Sequence, residues 1–317
     1  LRLIRIYSII LVLITLTTLL FLFKNGSAST SSVSQTNVNM KGYALQVYTP
    51  NDQLHQSYII DMTQGSTFNH KIMFMNSSGR TSTFSLLVYL NYQQIPFKAD
   101  TNGLNEYAYQ FTLEQDKSIL IPLEFSTDDL AEGTHALTFS IIAGSDKHAS
   151  ALDVVTDSFG ISGRFNLRLN ANKQTGIALT PEIIKDTFKQ NTYSGLLINQ
   201  DRNQKEKFLT PQKLITAKSG GMIELALRGG GTPNEEYVVW LTVDWKQIKA
   251  FDEKAFLFFR IPKNESMYTP ITFKAPTQPG EYEIAAYMTP NPFKQLDDGF
   301  FQDISTYTSH RFTLKVE

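Results

Sequence analysis

The residues able to do chemistry are few and scattered. Five histidines, His55, His70, His135, His148 and His310, stand singly. No two have the spacing of a zinc site, and no His-Glu-x-x-His occurs. Gly-x-Ser-x-Gly is missing too, which excludes a serine-hydrolase elbow. Gly229-Gly230-Gly231 is followed by Thr232-Pro233 rather than by Lys and Ser or Thr, so it reads as a turn and not as a phosphate loop. Asp100-Thr101-Asn102-Gly103 lacks the ligand series of a calcium loop and reads as a hairpin turn. Asp128-Asp129 and Asp297-Asp298 are acidic pairs in connections. A glycosidase needs two carboxylates facing a cleft, whereas adjacent loop aspartates face water. With Asp157 and Asp303 they amount at most to a surface calcium site. The chain has no cysteine, which excludes disulfides, thiolate metal sites and cysteine nucleophiles. No catalytic, cofactor or metal residue is assigned, no cofactor is expected, and the chain reads as a non-enzyme.

What remains is surface for contact. Two connections are far longer than a hairpin needs, Ala143 to Gly163 and Thr289 to His310, and long connections tend to carry function. The second holds Pro290, Pro292, Phe293, Phe300, Phe301 and Tyr307. Exposed, such aromatics form a contact patch for protein or glycan; buried, Phe300 and Phe301 plug the end of a domain. A second candidate is a strand face carrying Leu87, Tyr89 and Asn91, matched later by Trp240, Thr242 and Asp244. Aromatics there stack on sugar rings or pack against a neighbouring domain. The candidate partner-binding residues are therefore Phe293, Phe300, Phe301, Tyr307 and Trp240.

These residues sit on a duplicated framework. Leu86, Val88, Leu90 and Tyr92 are matched 153 positions later by Val239, Leu241, Val243 and Trp245, and Gln94-Ile95 by Gln247-Ile248. Ile121-Pro122-Leu123-Glu124-Phe125 matches Thr269-Pro270-Ile271-Thr272-Phe273 at an offset of 148. Gly133 matches Gly280 at 147, and Arg164-Phe165-Asn166-Leu167-Arg168-Leu169 matches Arg311-Phe312-Thr313-Leu314-Lys315-Val316 at the same offset. Blocks in one order with shared alternation mark an internal repeat. Each block is short, β-branched or aromatic, and bounded by Gly, Pro, Asn or Asp, as strands are. About seven such strands per copy must bury their apolar faces against a second sheet.

Thr277-Gln278-Pro279-Gly280-Glu281-Tyr282 resembles the tyrosine corner of Greek-key sandwiches, where a tyrosine bonds back to the preceding connection. His135 holds that place in the first copy, and its ring is able to donate one such bond. In pattern, residues 40–317 resemble bacterial immunoglobulin-like and fibronectin-III-like surface domains. That resemblance implies adhesion, scaffolding or ligand presentation. A chain without cysteine also fits many Gram-positive surface proteins.

The fold class expected is all-β: two tandem immunoglobulin-like β-sandwiches after an N-terminal hydrophobic helix, with sandwiches at 40–170 and 192–317. Between them, 171–191 reads as a linker with a short helix, Thr180 capping, Pro181 in the first turn, and Ile183, Ile184 and Phe188 on one side. Arg2 and Arg5 precede an uncharged apolar run from Ile6 to Phe23, and Gly26 and Ala28 follow at cleavage-site spacing. Residues 1–26 thus read as a signal peptide or membrane anchor, and 27–39 as a flexible tether. The expected location is extracytoplasmic, at a bacterial cell surface, secreted or membrane-anchored. Twenty-nine basic residues balance 30 acidic ones, giving no electrostatic reason for a nucleic-acid partner. Three readings follow: binding of an envelope or extracellular protein, binding of carbohydrate or cell-wall glycan, and a structural spacer or assembly subunit.

Overall fold

The computed structural model describes residues 42–100, 103–151, 160–170, 179–184, 187–189, 194–200, 214–262, 265–294 and 306–317. The expected N-terminal helix and tether lie outside them. In the first repeat the strands are β1 (Gly42–Tyr48), β2 (Ile59–Met62), β3 (Thr67–Ser77), β4 (Ser82–Leu90), β5 (Gln93–Gln94), β6 (Ala108–Leu113), β7 (Lys117–Ser126), β8 (Gly133–Ala143) and β9 (Gly160–Leu169). The second has β10 (Thr187–Lys189), β11 (Gly195–Asn199), β12 (Leu214–Ala217), β13 (Met222–Gly230), β14 (Glu236–Val243), β15 (Lys246–Ile248), β16 (Phe256–Arg260), β17 (Glu265–Lys274), β18 (Gly280–Pro290), β19 (Tyr307–Thr308) and β20 (Phe312–Val316).

The two repeats share one connectivity. An outer sheet β1-β3-β7 faces an inner sheet β2-β9-β8-β4-β5, with β6 paired to β4. In the second repeat β11-β13-β17, extended by β10 beyond β17, faces β12-β20-β18-β14-β15, with β16 paired to β14 and β19 to β18. The unusual parallel pairing recurs as well, β2 with β9 and β12 with β20. Registers coincide: Leu87 opposes Ser140 and Trp240 opposes Tyr287, each member displaced by its own repeat offset.

The burial patterns show how the sheets are layered. In outer strand β3, buried Phe68, Ile72 and Phe74 alternate with more exposed residues, so one face meets the core and the other meets water. Strands β4, β8, β14 and β18 are buried along nearly their whole length. Their sequences, such as Leu86-Leu87-Val88-Tyr89-Leu90 and Val238-Val239-Trp240-Leu241, are continuously apolar, which a strand buried on both faces requires. One core fills repeat 1 from Val47 to Leu169, and another fills repeat 2 from Leu196 to Val316. A third cluster joins Leu87, Tyr89, Tyr92, Ala136 and Ile142 to Val238, Trp240, Trp245, Phe258, Ala285 and Tyr287. The inner sheets therefore pack on each other, and residues 41–317 form one compact unit.

The expected linker helix is not formed in the described residues. Glu182 makes a parallel bridge to Phe259 and donates its N–H to the Phe258 carbonyl at 2.7 Å. Thr187–Lys189 then pairs with β17. Thr180 precedes a proline, which disfavours helical backbone, and Ile183, Ile184, Thr187 and Phe188 suit a pleated edge. Repeat 2 offers two such edges, and the segment satisfies its backbone there. Gly229 and Gly230 continue β13 rather than forming the expected turn. Gly231 leaves room for Tyr237, whose hydroxyl would lie 2.2 Å from a Cβ at that position.

Candidate functional site at the seam between the repeats

The seam is built from paired positions of the duplication. In each repeat a two-residue connection joins the inner strand to its short partner: Asn91-Tyr92 between β4 and β5, and Asp244-Trp245 between β14 and β15. All four residues have positive φ, 50° and 63° in the first pair and 50° and 65° in the second. That is the backbone of a type I′ hairpin. It thrusts two large rings, Tyr92 and Trp245, into the seam and sets Gln94 and Gln247 just beyond.

Those glutamines clasp each other. Gln94 N–H donates to Gln247 Oε1 at 2.7 Å, and Gln247 N–H donates to Gln94 Oε1 at 2.6 Å. Gln94 Nε2 donates to the Trp245 carbonyl at 2.8 Å, and Gln247 Nε2 to the Tyr92 carbonyl at 2.8 Å. Each amide also donates within its own repeat, to Tyr107 O at 2.9 Å and to Ala255 O at 3.1 Å.

A second reciprocal pair is arginine. Arg164 and Arg311 are 2% and 3% exposed. Arg164 donates through Nη1 to Asn291 O at 2.6 Å and through Nη2 to Lys294 O. Arg311 donates to Gly144 O at 3.0 Å and to Lys147 O at 3.3 Å. Gly144 and Lys147 are the repeat counterparts of Asn291 and Lys294, so both pairs obey one pseudo-two-fold axis. Such reciprocity defines an isologous contact.

The centre of the seam is less symmetric. The Trp240 ring stacks on Tyr287 at 5.4 Å and meets Tyr89 at 5.1 Å and Tyr92 at 5.4 Å. Burial pushes the hydroxyls of Tyr92 and Tyr287 up to about 12, so both stay neutral at ordinary pH. Tyr92 donates to Pro292 O at 2.8 Å. Buried Glu283 accepts from Thr313 Oγ1 at 2.7 Å and from Ala149 N–H at 2.9 Å. It thereby seats the helical turn Ala149–Ala151 of repeat 1 on repeat 2.

Where the clasp reaches the surface a cleft of about 820 Å³ opens. Gln94 and Tyr107 line it from repeat 1, Lys246 and Phe256 from repeat 2, and Leu179 and Glu182 from the connecting segment. Lys246 Nζ lies 5.2 Å from the centre of the Tyr107 ring, a cation–π contact across the seam.

Among the described residues, the expected partner-binding residues are not gathered into a surface patch. Trp240 is fully buried in the seam, so it is no outward platform for a sugar ring. Phe293 is half-buried and packs edge-on against Tyr92 and Phe258, at 5.5 and 5.2 Å. Tyr307 is half-buried against the core of repeat 2, while Phe300 and Phe301 lie outside the described residues. Gln94, Gln247, Arg164 and Arg311 were not singled out by sequence reasoning as site residues. Their signal was present: each is a polar side chain kept identical at the matching position of both copies.

Both corners are formed. Tyr282 donates its hydroxyl to Gln278 O at 2.9 Å, and His135 Nε2 meets Ala131 O at 2.9 Å, each four residues back. The carbonyl fixes the proton on Nε2. His135 Nδ1 then accepts from Asn91 Nδ2 at 3.0 Å, tying the corner to the hairpin. Among the described residues no group of three or more His, Asp and Glu is placed to hold a metal, and no helix is long and apolar enough to cross a membrane. Asp157, Asp297, Asp298 and Asp303 lie outside the described residues. Asp128 accepts from the Ser126 hydroxyl in a local turn at 2.7 Å.

No family model matches the chain, and no curated protein matches it. Among solved structures, the C-terminal domain of the Streptococcus agalactiae AgI/II polypeptide BspA is 10% identical with a TM-score of 0.23, covering 86% of this chain and 99% of that one. The fibronectin(III)-like modules of Clostridium thermocellum CbhA are 9% identical with a TM-score of 0.21, covering 86% and 93%. A red sea bream transglutaminase is 12% identical with a TM-score of 0.23; 87% of this chain is covered, but only 31% of that enzyme. Likenesses with TM-scores this low carry no argument about fold or function.

Proposed function

We propose that this chain is an exported, non-enzymatic binding protein of a bacterial cell surface. Its two immunoglobulin-like sandwiches act as one rigid block that presents its seam cleft and end loops to an envelope or extracellular protein. The basic and apolar N-terminal sequence supports export. The strand order, a shared three-strand set (β1-β3-β7 and β11-β13-β17) facing a sheet with a parallel edge strand, supports the immunoglobulin-like reading of each repeat. One observation carries the functional reading: Gln94, Gln247, Arg164 and Arg311 lock the repeats at a fixed angle and leave a cleft lined from both. Tandem domains held by a small polar interface would move against each other; here the inner sheets are apolar on both faces.

The test is site-specific photocrosslinking in the producing cell. A photoreactive residue at Lys249 in the cleft is expected to yield an adduct with an extracytoplasmic protein, and one at Met75 on the outer sheet is expected to yield none. Adducts with cytosolic proteins only, or hydrolytic turnover by the purified chain that one substitution abolishes, would overturn the proposal. The glycan alternative loses its stacking argument at Trp240, because that ring is taken up by Tyr89 and Tyr287.

A further inference from the structure

We propose that the open edge of β6 in repeat 1 takes up an extended peptide, which joins the inner sheet as one more strand. The inference rests on the cleft reading for the kind of partner, a protein, and names the part of it that is recognised: an uncharged stretch in which apolar and polar residues alternate. The edge begins where the cleft ends, because Tyr107 lines the cleft and Ala108 opens β6.

Strand β6 is bonded on one side. Its ladder with β4 runs from Leu87 opposite Ala108 to Ser82 opposite Leu113. In an antiparallel ladder successive residues turn their N–H and C=O alternately to the two sides. The repeat tells which residues turn outward. Gln110 opposes Ser85 as Phe258 opposes Val238, and Ser85 and Val238 are 153 positions apart. Phe258 turns its carbonyl away from β14, where it accepts the Glu182 N–H at 2.7 Å. Gln110, and with it Ala108 and Thr112, therefore turns its backbone groups away from β4. Among the described residues nothing bonds to them there.

Repeat 2 shows what occupies such an edge. Its β16 carries the connecting segment, which lines the cleft at Leu179 and Thr180 and then bridges Phe259 through Glu182. The pseudo-two-fold axis carries that bridge onto Phe111 of β6. Other edges are protected: β10 covers β17, and β7 has Pro122, which lacks an N–H, and Glu124, which is bonded to Lys98. Strand β6, Ala108-Tyr109-Gln110-Phe111-Thr112-Leu113, has neither proline nor charge, the devices that keep an edge from pairing. Its side chains set the sequence it fits. Tyr109, Phe111 and Leu113 belong to the core side, and Gln110 and Thr112 are exposed on the other face. A strand laid alongside extends the apolar side with every second residue and the uncharged polar side with the rest. Main-chain bonds then give affinity and the alternation gives selectivity.

The test is amide hydrogen exchange on the purified full chain, with a peptide of alternating valine and threonine as long as β6 for a probe. In the chain alone the amides of Gln110 and Thr112 should exchange fast, while those of Tyr109 and Phe111 are protected by β4. The peptide should slow exchange at Gln110 and Thr112 by about tenfold or more. The same peptide with alternate amides N-methylated should not. Gln110→Pro removes one outward N–H and no bond to β4, a change that an edge strand tolerates. It should abolish the slowing at Thr112 and leave the amides of β8 protected; should that variant unfold, the N-methylated peptide makes the same comparison. Protection of Gln110 and Thr112 in the chain alone, no slowing by the peptide, or equal slowing by both peptides would overturn the proposal. In the producing cell Gln110→Pro should also remove the adduct formed from Lys249. An adduct that persists would overturn the edge site and leave the cleft reading standing. Slowing by the peptide without any adduct from Lys249 would do the reverse.

Discussion

Gln94 and Gln247, 153 positions apart in the chain, each donate a backbone N–H to the other's side-chain oxygen, at 2.7 and 2.6 Å, and each side-chain amide donates at 2.8 Å to a carbonyl of the opposite hairpin, Trp245 O or Tyr92 O. Each supplies what the other lacks, so truncating either leaves a part-buried N–H and a carbonyl of the opposite hairpin unpaired. Gln94→Ala or Gln247→Ala should each lower stability by about 1–3 kcal/mol. Each single breaks a different set of bonds, because the backbone N–H of the truncated residue still reaches the other side chain. The double variant should therefore cost less than the sum only by as much as one truncation already parts the two hairpins. A double-mutant cycle by urea denaturation measures this, and strict additivity would mean that the clasp is not coupled.

Arg164 and Arg311 join the repeats by a different chemistry, a charged fork laid on carbonyls of the opposite repeat, with Arg311 also 3.6 Å from the buried Glu283 carboxylate. Arg164→Ala should cost about 1.5–3 kcal/mol, the range for hydrogen bonds with a charged partner. Arg164→Lys should rescue little, since one ammonium cannot reproduce the planar fork that spans Asn291 O and Lys294 O. Thermal unfolding of the three proteins distinguishes geometry from charge: full rescue by lysine would show that charge alone suffices.

Acid should weaken the fold through His70. The ring stacks on Phe68 at 4.5 Å and lies 6.1 Å from His55. Burial first, and the neighbouring His55 second, lower its pKa from 6.5 to about 4. Above pH 6.5 both folded and unfolded chains hold the ring neutral. Between about 6.5 and about 4 only the unfolded chain takes up the proton, so stability falls as pH falls through that window. Below about 4 the folded ring protonates as well, and this contribution levels off. His310, lowered in pKa by burial, acts in the same direction. The urea midpoint should therefore drop between pH 6.5 and 5, before most carboxylates titrate, and His70→Leu should flatten that drop.

The sandwich layering was legible in sequence because it rests on side-chain period. Phe68, Ile72 and Phe74 alternate, and the repeat offsets align β4 with β14 and β9 with β20. The corner at Tyr282 and its histidine substitute at His135 could be read as well, since each needs only a donor four residues past a turn carbonyl. The seam was harder to read. Leu87, Tyr89 and Trp240 break the alternation of their strands, which identifies a second buried face but does not say what covers it. The clasp depends on Asn91, Tyr92, Asp244 and Trp245 all adopting positive φ, and tyrosine and tryptophan are poor advertisements for that backbone. The connecting segment misled because capping residues and a proline describe a helix start just as well as an extended chain, and the deciding factor was a free sheet edge far away in sequence.

Trp240 gives the prediction that most sharply separates a surface role from a structural one. Its ring is fully buried between Tyr89, Tyr92 and Tyr287, with both inner sheets contributing walls. Removing a buried aromatic of this size costs about 3–5 kcal/mol, from lost transfer energy and the cavity left behind. Because each repeat keeps its own core, the loss should fall on the contact between them. Trp240→Ala should turn a single unfolding transition into two, one per repeat, while Trp240→Phe should retain one transition at a modestly lower midpoint. Calorimetry reads both outcomes directly. A residue used for outward stacking would instead leave the transition unchanged and alter only ligand retention, and that result would place the ring outside the seam.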